Sequence, residues 1–262
     1  MPAPIPKLKS VDVIDRVNAI LKDLTTFVPE SDLEVRRLLK DSEDSIKASP
    51  PLGHAALSSV YQIIGNAEKA RYHIENAIKL APSEYALIGN QSSILANLGF
   101  YSEALRVYEK SANPELGQMT WVWPQGYAIG AFSTMVKHLT KARKMELDLK
   151  GLDVETAEKC AVVLQKSRVT ESQIVAALEF VGSVLRDHKL FFVGPNPRVA
   201  VFNEPGQEPF IRMTYGVAVS PSAAHQLYLE FIDRTVKAEV PIPNCLSVSL
   251  RSAKPDYASK AA

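Results

Sequence analysis

Residues 53–86 read GHAALSSVYQIIGNAEKARYHIENAIKLAPSEYA, and residues 87–114 read LIGNQSSILANLGFYSEALRVYEKSANP. The two stretches are similar at a fixed offset. Gly65 and Gly99 are 34 residues apart, as are Ala70 and Ala104, and Ile74 and Tyr108. Self-similarity at such a period marks a repeat of one supersecondary unit, here a pair of helices. Within the first unit, Leu57 and Tyr61 lie one turn apart and are placed to meet Ile74 and Ala77 of the second helix, while Ala70 is small enough for the backbones to approach. Gly65 supplies the left-handed conformation that closes the first helix, and Pro82 stops the second.

The pattern Leu57, Tyr61, Gly65, Ala70, Ile74, Ala77, Leu80 and Pro82 resembles the tetratricopeptide repeat. The second unit is a degenerate copy: it keeps Gly99, Ala104 and Tyr108 but has Gln91 at a large apolar position, Ser111 at a small one, and Pro114 two places early. Two units are fewer than the three or so that stack stably, so neighbouring helices are expected to complete the array.

Those neighbours are legible from periodicity and caps. A helix is expected from about residue 11 to 27, with Ile14, Val17, Leu21 and Leu24 on one face. A second follows a Ser31/Glu34 capping box and stops at Pro50 and Pro51. A long helical stretch is expected over 124–147. Asp153 caps another helix, and Thr170 with Gln173 forms a second capping box. Leu190 to Asn203 and Pro209 to Val219 read as a β-hairpin around a Pro-Gly turn. Ser220 and Pro221 begin a helix, and Cys245 to Arg251 alternates like a strand. The expected fold is therefore mainly α: a helical-hairpin array over 11–187 and a small α+β module of order β-β-α-β over 188–251. A flexible arm over 1–10 and a loose tail over 252–262 flank them.

Composition narrows the function classes. The chain has 30 Lys plus Arg against 29 Asp plus Glu, a formal charge of +1, so no large field attracts nucleic acid or an acidic membrane. Neither is expected as a partner. The longest apolar stretch, Ile174 to Leu185, is much shorter than a membrane span. Cys160 and Cys245 are far apart in apolar surroundings, which fits buried thiols in a reducing, cytoplasmic setting.

No phosphate loop, metal-ligand spacing or nucleophile elbow occurs, so no catalytic residue, metal or cofactor is expected. The five histidines are scattered singly; His225 with Cys245 is the nearest to a reactive pair, against the ordinary reading of Cys245 as an inert buried thiol. Trp121 and Trp123 either seal the end of the array or anchor a partner. Gly126 and Gly130 suggest close helix packing.

The resemblance implies a concave groove lined by the first helix of each unit. In register these positions are Leu52, Ala55, Ser59, Gln62 and Ile63, then Ala86, Gly89, Asn90, Ser93 and Asn97. They lack the Lys and Arg with which relatives clamp an acidic tail, but the amides can bond a peptide backbone. A protein or peptide partner is the expected ligand, with the chain's own helices as the competing occupant. Two other readings stay open: a small-molecule sensor or unfamiliar enzyme centred on the C-terminal α+β module, which a pocket between Arg212, Tyr215 and His225 would favour, and a subunit fixed in a permanent assembly.

Overall fold

The computed structural model describes residues 9–194 and 196–254. The expected arm over 1–8 and tail over 255–262 lie outside the described residues, although Lys9 and Ser10 already belong to the first helix and Ser252 ends the last strand.

Among the described residues there are eleven α-helices and one three-stranded sheet, so the fold is mainly α with a small α+β end. Helices α1 (Lys9–Asp23) and α2 (Leu33–Ala48) precede the hairpins α3/α4 (Pro50–Ile64, Ala67–Leu80) and α5/α6 (Tyr85–Asn97, Tyr101–Ser111). Asp32, rather than Ser31, caps α2, accepting from the N–H groups of Glu34 at 2.8 Å and Val35 at 3.2 Å. Gly65 closes α3 at φ 79°, and Leu57, Tyr61, Ala70, Ile74 and Ala77 are buried in one apolar cluster with Leu87 and Ile94. The helices pack as neighbouring pairs, as a helical repeat requires.

The expected long helix over 124–147 is two helices. α7 (Met119–Ile129) begins earlier and ends where Gly130 takes φ 72°, and α8 (Phe132–Lys144) starts afresh. Both tryptophans therefore lie inside a helix. α9 (Val154–Ser167) is capped by Asp153, and α10 (Glu171–Asp187) by the Thr170/Gln173 box.

α10 is the element against which several others are fixed. The absent Cβ of Gly182 would lie 2.0 Å from the carbonyl oxygen of Gly99, so the α5–α6 turn touches α10 backbone to backbone. Arg186 donates to that same carbonyl, and its guanidinium and that of Arg71 lie 3.9 and 3.8 Å from the Phe100 ring centre. Neither α6 nor α8 has a capping side chain of its own. α10 supplies both: Glu179 accepts from Ser102 N–H at 2.8 Å and Glu171 from Thr134 N–H at 2.9 Å, placing a carboxyl group at each helix's positive end.

The chain then turns back on its beginning. Phe27 N–H donates to Lys189 C=O, and Phe191 N–H to Thr25 C=O, both at 2.9 Å, so the expected first helix stops at Asp23 and its continuation pairs with residues 189–191. This pairing also takes Leu190 out of the expected long strand, Phe192 bridges Val217 instead, and only Arg198–Phe202 remains as β1. β1 pairs antiparallel with β2 (Phe210–Val217); α11 (Pro221–Lys237) crosses over, and β3 (Leu246–Ser252) pairs parallel with β2. One apolar cluster runs from Leu95 through α6–α10 to Tyr215, Phe231 and Leu250, so the change of secondary structure near Asp187 leaves no gap in the core. Tyr215 spans it, donating its hydroxyl to Ala128 C=O at 2.9 Å.

Gly182→Ala is expected to lower stability by about 3 kcal/mol, because a methyl group has no room beside the Gly99 carbonyl. The penalty outweighs the roughly 1 kcal/mol that Ala gains over Gly in helix propensity. Urea unfolding with an unchanged m-value checks it.

A second expectation concerns His54 and His73, whose Nδ1 atoms are 2.9 Å apart across α3 and α4. One nitrogen must donate and the other accept, so a doubly protonated pair would set two N–H groups against each other. Burial, then His54 and the Lys69 ammonium, push His73 down to about 4. An unfolded histidine titrates near ~6.5, so between that pH and about 4 the unfolded chain binds more protons and stability falls as pH drops. The wild-type Tm is expected to fall more between pH 7.5 and 5 than that of His73→Phe, which keeps a ring against Tyr61.

Candidate functional site

Asn90, Ser93 and Asn97 stand at helical spacing on α5 and share one face. Together they line a cavity of about 800 Å³. Its other walls are the end of α1 at Asn18, Leu21 and Lys22, the face of α7 at Trp121, Pro124 and Gln125, and the returning segment at Phe191 and Phe192. The antiparallel bridge between Thr26 and Leu190 holds two of those walls together, and Phe27 meets Phe191 edge-on at 4.9 Å. The cavity is thus bounded by a seam the sequence does not announce.

The polar groups of this cavity have spare capacity. Among the described residues, the side chains of Asn90, Ser93 and Asn97 make no hydrogen bond and are half-buried. The Gln125 carbonyl oxygen is buried with no partner. Trp121 is 42% exposed, whereas Trp123 is 2% exposed and among the largest side chains of the core. The pair therefore divides the two expected roles: Trp123 seals, and Trp121 faces the cavity, with Gln118 accepting from its indole N–H. Gly89 lies beneath it, since a Cβ there would come 2.4 Å from the indole ring.

The other expected lining positions go elsewhere. Ile63 is packed in a cluster with Val13, Val17, Val35 and Leu38 of α1 and α2, and Ala55 is buried in the cluster that holds Ile74 and Leu87. Gln62 is buried with its amide nitrogen unpartnered, and Leu52, Ser59 and Ala86 are half-buried without lining this cavity. At Ile63, then, α1 and α2 cover the first unit's part of the expected groove. The reason is chemical: covering Ile63 gains the free energy of removing an apolar side chain from water, whereas covering Asn90 and Asn97 without partners would cost free energy. Lys22 and Asp23 add charge at the rim, so the lining is not wholly neutral.

The reactive pair considered in the sequence does not assemble. Cys245 is buried in the core while His225 is exposed on α11, and no hydrogen bond joins them. His54 and His73 are adjacent after all, but no three potential metal ligands converge among the described residues. Arg212 and His225 do line a second cavity, of about 650 Å³; Tyr215 is buried away from it. No helix of the described residues is long and apolar enough to cross a membrane. Comparison of the chain with family models, curated proteins and solved structures finds no match.

Trp121 makes the cavity observable. In Trp121→Phe the remaining Trp123 emission is expected to be blue-shifted and protected from acrylamide, and the accessible component of the wild-type spectrum to vanish. Strong quenching of the variant would contradict the division of roles.

Proposed function

We propose that this chain is a tetratricopeptide-like, non-catalytic interaction module of the cytoplasm that holds a short extended segment of a partner polypeptide in the cavity between α1, α5 and α7. The observation that carries the reading is the row of unpartnered amides and hydroxyl: Asn90, Ser93 and Asn97 from successive turns, in a cavity that Gln125 also lines. An extended peptide offers backbone N–H and C=O groups at regular intervals, and side-chain amides answer both. Leu21, Trp121 and Phe192 provide the apolar wall that an anchoring side chain needs, and the volume lies within the roughly 300–1,000 Å³ of ordinary ligand sites. The 34-residue period and the paired helices support assignment to the repeat class.

Asn90→Ala with Asn97→Ala is expected to remove about 1 kcal/mol per lost hydrogen bond, weakening the complex by roughly tenfold to a hundredfold. Ser93→Arg is expected to abolish it by filling the cavity with a long side chain. The measurement is affinity purification of the tagged chain from its native cytoplasm, read by mass spectrometry, for wild type, Ser93→Arg and a control arginine at Val236, which is 70% exposed. A partner retained by the control and lost from Ser93→Arg supports the proposal. A partner retained equally by all three removes the cavity from consideration.

A further inference from the structure

The sheet has order β1-β2-β3, which leaves β3 with one paired side. The phase of its pairing tells which groups face outward. Ile211 N–H donates to Cys245 C=O at 2.7 Å, and Ile211 stands opposite Leu246 in a parallel register. In a parallel ladder each strand uses alternate residues, so Cys245, Ser247, Ser249 and Arg251 bond to β2. The N–H and C=O groups of Val248 and Leu250 therefore point away from the sheet, and among the described residues neither residue finds another backbone partner.

These groups face the second cavity, a groove of about 650 Å³ between β3 and α11. Its lining includes every residue from 247 to 252, although successive side chains of a strand point to opposite faces. Val248 and Leu250 have their side chains buried in the core, 7% and 4% exposed, so they reach the groove through their backbone. The floor of the groove is the strand edge itself.

The formal charges around it have one sign: Arg212 and Arg251 line the groove, with the His225 and Tyr228 rings and no carboxylate. Neither arginine has an ion pair or hydrogen bond among the described residues; Arg212 rests on Phe202, 4.3 Å from its ring centre. Arg212 stands opposite Ser247 and Arg251 opposite Gly216, so the two arginines are four residues apart along the sheet, about 13 Å at strand rise.

We infer that the β3 edge is a second binding site, which accepts an extended acidic segment of another polypeptide as a fourth strand. The segment's backbone completes the hydrogen bonds of Val248 and Leu250. Its carboxylates, on alternate residues, lie on the sheet face that carries Arg251 at the edge and Arg212 one strand further in. A second copy of this chain pairing edge to edge would bring like charges together. A nucleic acid would meet the cations but leave the strand ladder unanswered.

The test is titration of the ¹⁵N-labelled full chain with a blocked hexapeptide alternating glutamate and valine. Two comparison peptides replace glutamate by lysine or N-methylate alternate backbone nitrogens. Binding of the glutamate peptide alone, with shifts centred on the Val248 and Leu250 amides, supports the site. Arg212→Gln with Arg251→Gln is expected to weaken it by about tenfold while the sheet resonances persist. Ser93→Arg is expected to leave it unchanged, which separates this site from the helical cavity. Equal binding of the lysine peptide, equal binding of the N-methylated peptide, or shifts confined to other elements would overturn the inference. So would tighter binding of oligothymidylate at the same amides, or self-association that protects them without peptide.

Discussion

The contact of Gly99 with Gly182, carbonyl against α-carbon, fixes α10 on the turn of the second repeat unit, and much of the molecule is placed from there. Any side chain at Gly182 would push the two backbones apart. With the contact made, Arg186 reaches the Gly99 carbonyl, Glu179 reaches the start of α6, and Glu171 reaches the start of α8. One helix thus satisfies the termini of two others that carry no cap of their own. Burial raises the Glu171 pKa in spite of its bonds to the α8 terminus, so desolvation outweighs the stabilisation of its charged form.

Because α10 is fixed, the chain leaving it at Lys189 is delivered to the strand-like residues that follow α1. That pairing brings Phe191 and Phe192 into the wall of the cavity. An open array would expose one continuous groove along both repeat units. Here α1 and α2 cover the apolar part, around Ile63, and the amide-bearing part around Asn90 and Asn97 stays accessible. Burial of polar groups is tolerated only with partners, so the residues that resist being covered by the chain itself are the ones left for another molecule.

The two proposed surfaces work by different physics. The helical cavity offers side-chain amides and aromatic walls, with Lys22 and Asp23 at its rim, so salt should affect it little. The β3 edge offers unpaired backbone groups beside unneutralised arginines, and its affinity should depend on ionic strength. They share no lining residue.

Short-range signals determined the elements. The 34-residue period placed both hairpins with their glycine turns, the Asp153, Thr170 and Ser220 caps placed three helix starts, and alternation placed β2 and β3. Asn90, Ser93 and Asn97 were selected by the register of the tetratricopeptide resemblance, and in the structure all three line one cavity. Tertiary structure alone decided that Gly99 meets Gly182, that Thr26 meets Leu190, that His54 meets His73, and that Ala55 and Ile63 are covered while Trp121 is not. Periodicity, caps and turns act over a few residues, and each leaves its mark in the local pattern. Contacts between residues far apart in the chain depend on how all the intervening helices pack, and no single stretch of sequence carries that information.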